Sequence, residues 1–144
     1  MKLGINIRNM GPQSSREIIS ACAITADQEG LDSLWIVEHI AIPPDDAEGS
    51  GGRYLDPLIT LSYLAGKTER IKLGTGVLIL PYRPPLITAK LIATLQELAQ
   101  DRLKLGVGLG WMKSEFRALG IDMRKRAQDS EKVLQFLHEA FDND

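Results

Sequence analysis

The chain has 144 residues, of which 44% are apolar, 25% are charged and 6% are aromatic, as is usual for globular proteins. Its 17 Lys and Arg against 19 Asp and Glu give a net charge of −2, which argues against binding to the phosphate backbone of nucleic acids. One cysteine excludes an internal disulfide, two histidines leave little for a zinc cluster, and no apolar run reaches the about 18 residues of a membrane helix. We therefore expect one cytoplasmic domain over residues 1–144, with no metal, membrane or nucleic-acid partner.

Strand-like and helix-like segments alternate from the N-terminus onward. Residues 2–8 and 33–38 contain the short apolar runs that indicate β-strands. Between them, Ser14 and Glu17 form a capping-box pattern, which predicts a helix with Ser14 as its N-cap. The apolar stripe of that helix includes Cys22, so we expect Cys22 to lie in the core.

A segment rich in Pro, Gly and Asp, residues 43–55, predicts an exposed and mobile loop. Asp56 and Pro57 are then the residue types preferred at the N-cap and the first position of a helix. Four apolar residues at helical spacing should form the buried stripe of this second helix: Leu58, Leu61, Leu64 and Ala65.

The second half of the chain repeats the alternation. Residues 71–79 and 103–109 indicate two further strands, and the Pro84-Pro85 pair opens the helix between them. The apolar stripe of that helix is expected to be Ile87, Leu91, Leu95 and Leu98. A short helix over 114–119 and a longer one over 126–141 follow. The longer one carries Val133, Leu134, Leu137 and Phe141 on one side. Four strands joined by helices predict a parallel (βα)4 sheet of the α/β class with right-handed connections.

Glycines recur on one face of the predicted strands. Alternation places Gly74 and Gly76 on one face of the third strand and Gly106 and Gly108 on the same face of the fourth. Branched residues, with Val77 among them, occupy the opposite face. Glycine weakens a strand, so such a run indicates that something approaches the backbone closely. A flat ligand over this face explains the pattern, and tight packing against another protein surface is the alternative.

Several motifs resemble the bacterial-luciferase-like superfamily, whose members use FMN or the deazaflavin F420. In chain order these motifs are KLGI, SLWIVEH, LGTGVLILPYR and LGVGLGW, the last followed by EF and ALG. The resemblance extends over nearly the whole chain and implies a TIM barrel that acts on a small-molecule substrate. That barrel has eight βα units and about 250 residues. We therefore expect this chain to form one parallel (βα)4 half of a TIM barrel.

The resemblance also implies roles for particular residues. His39 lies where the second strand ends, the end of a barrel strand at which catalytic residues stand, and would assist proton transfer beside the cofactor. The alternative is a partly buried histidine bonded to the adjacent loop. Gly76-Val77 would form a non-proline cis peptide pressed against the cofactor ring, or else an ordinary strand end. Arg126 would contact the FMN phosphate, or simply belong to a basic run at a helix start.

Three further residues are candidates for contact with the cofactor. Gly108 and Trp111 lie at the end of the fourth strand and could flank the cofactor, and Asn6 shares the glycine face of the first strand. The sequence Arg83-Pro84-Pro85 stands where many family members have Arg-His-Pro, which removes one polar group near the site. The phosphate site of the family is completed after a fifth strand, which this chain lacks.

A half barrel has two open sheet edges, on the first and the fourth strand. Such edges favour pairing with another chain, so we expect a homo-oligomer in which two-fold symmetry restores eight strands. The function implied by the resemblance is that of an FMN- or F420-dependent oxidoreductase of the monooxygenase class. The alternative is a non-catalytic half-barrel scaffold, or a fragment that binds cofactor only with a partner half.

Overall fold

A computed structural model describes residues 1–47 and 49–142, and it arranges four parallel strands in the order β1-β2-β3-β4. The strands are β1 (Gly4–Asn6), β2 (Ser33–Ile36), β3 (Lys72–Ile79) and β4 (Leu103–Gly108). Each strand pairs with the strand that precedes or follows it in the chain. Within the described residues, β1 and β4 therefore pair on one side only. This arrangement is the predicted (βα)4 half barrel.

The described residues contain five α-helices, and local capping chemistry defines where two of them begin. The helices are α1 (Arg16–Gln28), α2 (Pro57–Ala65), α3 (Pro85–Leu98), α4 (Lys113–Ala118) and α5 (Arg126–Asp142). The Asp56 carboxylate accepts the Ile59 N–H at 2.9 Å, as predicted for the start of α2. The predicted cap of α1 is wrong by one position. Ser15 accepts the N–H three residues ahead, whereas the Ser14 hydroxyl donates to the Gly11 carbonyl.

The core lies between the outer face of the sheet and the helices. Its fully buried members include Leu34, Ile36, Leu73 and Leu78 from the sheet and Leu58, Leu61, Leu64 and Leu95 from the helices. Burying one such side chain stabilises a fold by about 1.5–3 kcal/mol, so this layer fixes the helices on the outside. The opposite face of the sheet, which carries the glycines of β3 and β4, is not covered by this helical layer. Within residues 1–47 and 49–142, no helix has the length and apolar character that crossing a membrane requires.

Half of the predicted buried stripe of α3 is confirmed, since Leu95 is buried and Leu91 packs against the core, but the other two positions are wrong because the helix turns a neighbouring face toward the sheet. In α3, Ile87 and Leu98 are exposed, while Thr88 and Ile92 are buried. Thr88 can be buried because its hydroxyl donates to the Pro84 carbonyl at 2.8 Å.

The same kind of error affects two other helices. Cys22 is exposed, since α1 turns the face of Ile19 and Ala23 toward the core. In α5, Val133 and Leu137 are buried as predicted. Leu134 and Phe141 of the same predicted stripe are exposed.

The segment 43–55 is tied to the rest of the fold rather than uniformly exposed. Ala47 and Ser50 within it are buried, and the Ser50 hydroxyl donates to the Ala47 carbonyl. Tyr54 forms an isolated antiparallel bridge with Met10. Residue 48 of this segment lies outside the described residues, as do the last two residues of the predicted domain.

Candidate functional site

An indole ring occupies part of the glycine-lined face of the sheet. The alternation of β2 turns Trp35 away from the core, onto the face shared by the glycines of β3 and β4. A Cβ at Gly74 would lie 2.3 Å from Cε3 of Trp35, so this position accepts no side chain. Gly74 is thus explained by packing against Trp35 inside the chain, neither by a ligand nor by another protein surface. The sequence contained the signal, because Trp35 stands between Leu34 and Ile36 in a strand.

The part of this face that lies toward the carboxyl ends of β3 and β4, beyond the indole of Trp35, is open. The Gly76–Val77 peptide is cis, the geometry that the family resemblance implies. The pairing of β3 with β4 shifts register between Gly76 and Leu78, so Val77 lies on the glycine face and is 38% exposed. The prediction that Val77 packs with the branched face is therefore wrong, and Leu78 takes the buried position instead. A Cβ at Gly108 would lie 2.6 Å from Cγ2 of Val77, so glycine there leaves room for the valine.

His39 follows β2 and is held by groups from three other parts of the chain. Its Nδ1 lies 3.1 Å from Oε2 of Glu115, and its side chain is 15% exposed. Its ring makes edge contacts with Tyr54, at 5.0 Å between centroids, and with Trp111, at 5.8 Å. The structure thus brings together two of the predicted site residues, His39 and Trp111. The histidine is bonded to a carboxylate rather than to the adjacent loop.

Glu115, on the short helix α4, is a site residue that the sequence analysis missed. Its side chain is completely buried, and Oε2 also accepts the Tyr82 hydroxyl at 2.9 Å. Oε1 accepts the backbone N–H groups of Ile40 and Ala41, the latter at 3.0 Å. Burial and the adjacent carboxylate raise the pKa of Tyr82 well above its ordinary value, so its hydroxyl stays a donor. The available signal was the EF pair, Glu115-Phe116, on the short helix that follows the glycine-rich strand β4.

A second buried carboxylate, Glu38, precedes His39 and joins the ends of β2 and β3. It accepts the Ile79 N–H and pairs with the guanidinium of Arg83, which also bonds Asp56 at 2.7 Å. Burial raises the pKa of Glu38, although the Ile79 N–H and Arg83 favour its charged form. Arg83 is itself mostly buried, and its hydrogen bonds to Asp56 and Glu38 outweigh burial and raise its pKa. The arginine next to the Pro84-Pro85 pair is therefore occupied by structural ion pairs.

The remaining predicted residues, Asn6 and Arg126, line two cavities whose linings do not include His39. Asn6 is exposed, is the register partner of Trp35, and lines a cavity of about 380 Å³ beside β1. Arg126 is the first residue of α5 and lines a different cavity, of about 480 Å³, whose lining includes neither His39 nor Val77. In the described part of the chain, no group of three or more His, Cys, Asp or Glu side chains is arranged to hold a metal ion.

The sequence of the chain is similar to those of known proteins. A family model described as luciferase-like monooxygenase matches residues 2–144. The 4-hydroxyprotoasukamycin monooxygenase of Streptomyces nodosus subsp. asukaensis is 33% identical over 118 residues, which cover 82% of this chain and 30% of that protein. The F420-dependent glucose-6-phosphate dehydrogenase of Kineococcus radiotolerans is 40% identical over 101 residues, which cover 69% of this chain and 28% of that protein. The chain thus spans about a third of the length of these curated relatives.

Solved structures show the same partial coverage. The monooxygenase RslO1 of Streptomyces bottropensis superposes with a TM-score of 0.80 and 27% identity, over 96% of this chain and 42% of that one. The oxygenating constituent of 3,6-diketocamphane monooxygenase from Pseudomonas putida, solved with FMN, superposes with a TM-score of 0.81 and 22% identity. The match covers 96% of this chain and 39% of that one, as expected for a half barrel.

Proposed function

Because the chain belongs to the luciferase-like monooxygenase family, we propose that it carries the ring-binding and proton-handling part of an oxidoreductase. Its cofactor is FMN or the deazaflavin F420, and its substrate is a small molecule. The observation that carries the proposal is the open surface formed by Gly76, Val77 and Gly108 at the carboxyl ends of β3 and β4. Barrel enzymes place their chemistry at this end of the strands. The names of the relatives support both cofactors, since one structure contains FMN and one dehydrogenase is F420-dependent.

The shape of this surface fits a flat ring. A Cβ at Gly76 would meet only Trp35, at 3.7 Å and beyond, so the space above the backbone is open. Val77 offers its side chain to this space, and Gly108 adds no side chain of its own. Covering such apolar surface contributes about 25 cal/mol for each Å² removed from water. A planar, largely apolar ring system can therefore gain free energy here through contact with Val77 and the backbone beside it.

Several residues of the chain would have separate roles in binding that ring and in moving protons near it. The bound cofactor would supply the hydride or oxygen chemistry, while the protein orients it and handles protons. His39 would hold or move a proton, and Trp111, which is 67% exposed, would form a side wall next to it. Asn6 would contact the ligand from β1. Arg126 would bind the phosphate of FMN, for which the planar guanidinium is suited.

Cofactor binding tests this proposal directly. The purified chain is titrated separately with FMN and with F420 while the absorbance and fluorescence of each cofactor are followed. In Gly108→Ala the new methyl group would lie 2.6 Å from Val77, so we expect binding to weaken at least tenfold, about 1.4 kcal/mol. Gly66→Ala is the matched control, because its Cβ would lie 3.7 Å from its nearest neighbour at the end of α2. Absence of binding of either cofactor to the unmodified chain contradicts the proposal.

We also propose that a second copy of the chain completes the barrel. Beside β1 lies a cavity whose lining includes Ile5, Ile7 and Ile18 together with Asn6 and Arg8. The free edge of β4 is flanked by a larger one, of about 660 Å³, lined by Leu103, Leu105 and Phe141 among others. Two-fold symmetry would place β1 of each copy beside β4 of the other and cover both edges.

A non-catalytic half-barrel scaffold, or a fragment that binds cofactor only beside a partner half, is the second candidate. It is favoured by the position of Arg126, which lines a cavity that includes none of Gly76, Val77 and Gly108. Light scattering coupled to size-exclusion chromatography separates the cases. A dimer has twice the mass of the 15.9 kDa chain, and a folded monomer at micromolar concentration rules the dimer out. A monomer that binds neither cofactor supports the second candidate.

A further inference from the structure

We propose that Glu115 is a positioning residue that holds the His39 imidazole with its proton on Nδ1. Nε2 is then left as the nitrogen that exchanges a proton with a bound molecule. The role of Nε2 toward a cofactor or substrate rests on the function proposed above. The placement of the proton on Nδ1 is a property of the chain alone, and it can be measured without either ligand.

Three of the four groups that face the Glu115 carboxyl group are hydrogen-bond donors. Oε1 faces two backbone N–H groups, those of Ile40 and Ala41, which can only donate. Oε2 faces the Tyr82 hydroxyl at 2.9 Å and Nδ1 of His39 at 3.1 Å. An ionised carboxylate accepts all four of these bonds at once. His39 satisfies this arrangement only if Nδ1 carries a hydrogen.

The ring of His39 is fixed on its other sides by aromatic contacts. The Tyr54 ring meets it at an interplanar angle of 70°, and the Trp111 ring meets it at 87°. Among the described residues Nε2 has no hydrogen-bond partner, while the side chain keeps 15% of its surface exposed. The nitrogen that can reach a ligand is therefore Nε2. In the neutral ring, Nε2 accepts a proton when Nδ1 carries the hydrogen and donates one when Nδ1 does not.

The two oxygens of Glu115 allow its effect on His39 to be separated from its support of the backbone. In Glu115→Gln, the amide oxygen can still accept the N–H groups of Ile40 and Ala41. The amide NH2 then faces His39 and Tyr82 and can only donate. Nδ1 must in that case accept, so the proton moves to Nε2. The hydroxyl of Tyr82 can rotate and accept the second amide hydrogen.

Nitrogen NMR of the histidine rings tests this inference. The chain contains two histidines, and His138 is exposed on α5, where it serves as an internal reference. Long-range proton–nitrogen spectra of the ¹⁵N-histidine-labelled chain, recorded above the pH at which the rings titrate, distinguish a protonated from an unprotonated ring nitrogen. We expect His39 to carry its proton on Nδ1, and the two nitrogens to exchange their chemical shifts in Glu115→Gln while those of His138 stay unchanged.

A matched variant and the unmodified chain keep the test decisive. Tyr82→Phe removes one hydroxyl and leaves the carboxylate, so His39 should keep its proton on Nδ1. A proton on Nε2 in the unmodified chain overturns the inference, and so does a folded Glu115→Gln variant with an unchanged spectrum. If Glu115→Gln does not fold, the unmodified chain and Tyr82→Phe still decide. Because no cofactor is present, failure to bind FMN or F420 would leave this result unaffected.

Discussion

Replacing Arg83 by methionine would remove the cation that faces the buried carboxylate of Glu38. The Glu38 side chain is 1% exposed, and it would retain only the bond from the Ile79 N–H. Removing one partner of a buried ion pair typically costs about 3–5 kcal/mol, because the other charge is left without compensation. With a urea dependence of about 2 kcal/mol per molar, the midpoint of unfolding at pH 7 should fall by about 1.5–2.5 M.

The pH dependence of this loss has a definite sign. Burial already raises the pKa of Glu38 above its ordinary value of 4.5, and loss of Arg83 would raise it further. A carboxyl group whose pKa is higher in the folded state destabilises the fold when ionised, and this cost disappears as the pH falls and the group takes up a proton. The deficit of Arg83→Met relative to the unmodified chain should therefore be largest at neutral pH and shrink toward pH 4.5.

Urea unfolding at pH 7 and pH 5 measures both effects. Arg124→Met is the matched control, because Arg124 is 90% exposed and pairs with Asp122 at the surface, so its midpoint should not change measurably. Adding Glu38→Gln to Arg83→Met should recover much of the lost stability, since a neutral amide tolerates burial better. A loss below about 1 kcal/mol at pH 7, or the same deficit at both pH values, would refute this reasoning.

Two further predictions concern stability. The buried Asp27 carboxylate accepts three consecutive backbone N–H groups, from residues 69–71, and Asp27→Asn should cost about 1–2 kcal/mol by urea unfolding because the amide loses one of them. Burial opposes ionisation of Asp27, but these hydrogen bonds hold its pKa below 3.8. The stability difference between the unmodified chain and Asp27→Asn should therefore persist above pH 3.8 and shrink below it. An equal difference at pH 7 and pH 3 would contradict this. Gly74→Ala should cost about 1–3 kcal/mol and shift the fluorescence of Trp35, since a Cβ would lie 2.3 Å from the indole. The exposed Gly66→Ala should change neither, and an unchanged Gly74→Ala would show that Trp35 does not pack there.

Features of the fold that depend on neighbouring residues were predictable from the sequence. The Asp56-Pro57 start of α2 was correct, because an N-cap carboxylate bonds an N–H only three residues away. The buried face of α3 was predictable only in part, since its position depends on which side of the helix meets the sheet. Leu95 is buried as predicted, whereas Ile87 is exposed and the adjacent Thr88, bonded to Pro84, is buried instead. The four strands themselves were predicted, with ends that differ from the observed ones by at most two residues.

The candidate site was predictable only where a motif carried it. His39 and the Gly76–Val77 peptide were identified through the family resemblance, and the cis geometry of that peptide agrees with it. Glu115 could not be assigned to His39, because 76 residues separate them and periodicity gives no information about such contacts. The orientation of Val77 was wrong for a related reason. The register shift beside it reverses the alternation on which the prediction depended.

The order of the strands in space is also the order in which a ribosome makes them. Each new strand finds its pairing edge already synthesised, so we expect the sheet to grow unit by unit while translation proceeds. The segment that contains His39 is different, because it is held by the Glu115 carboxylate, which is synthesised 76 residues later. Among the parts of the chain that we describe, the segment around His39 should therefore become ordered only after the neighbouring strands have paired.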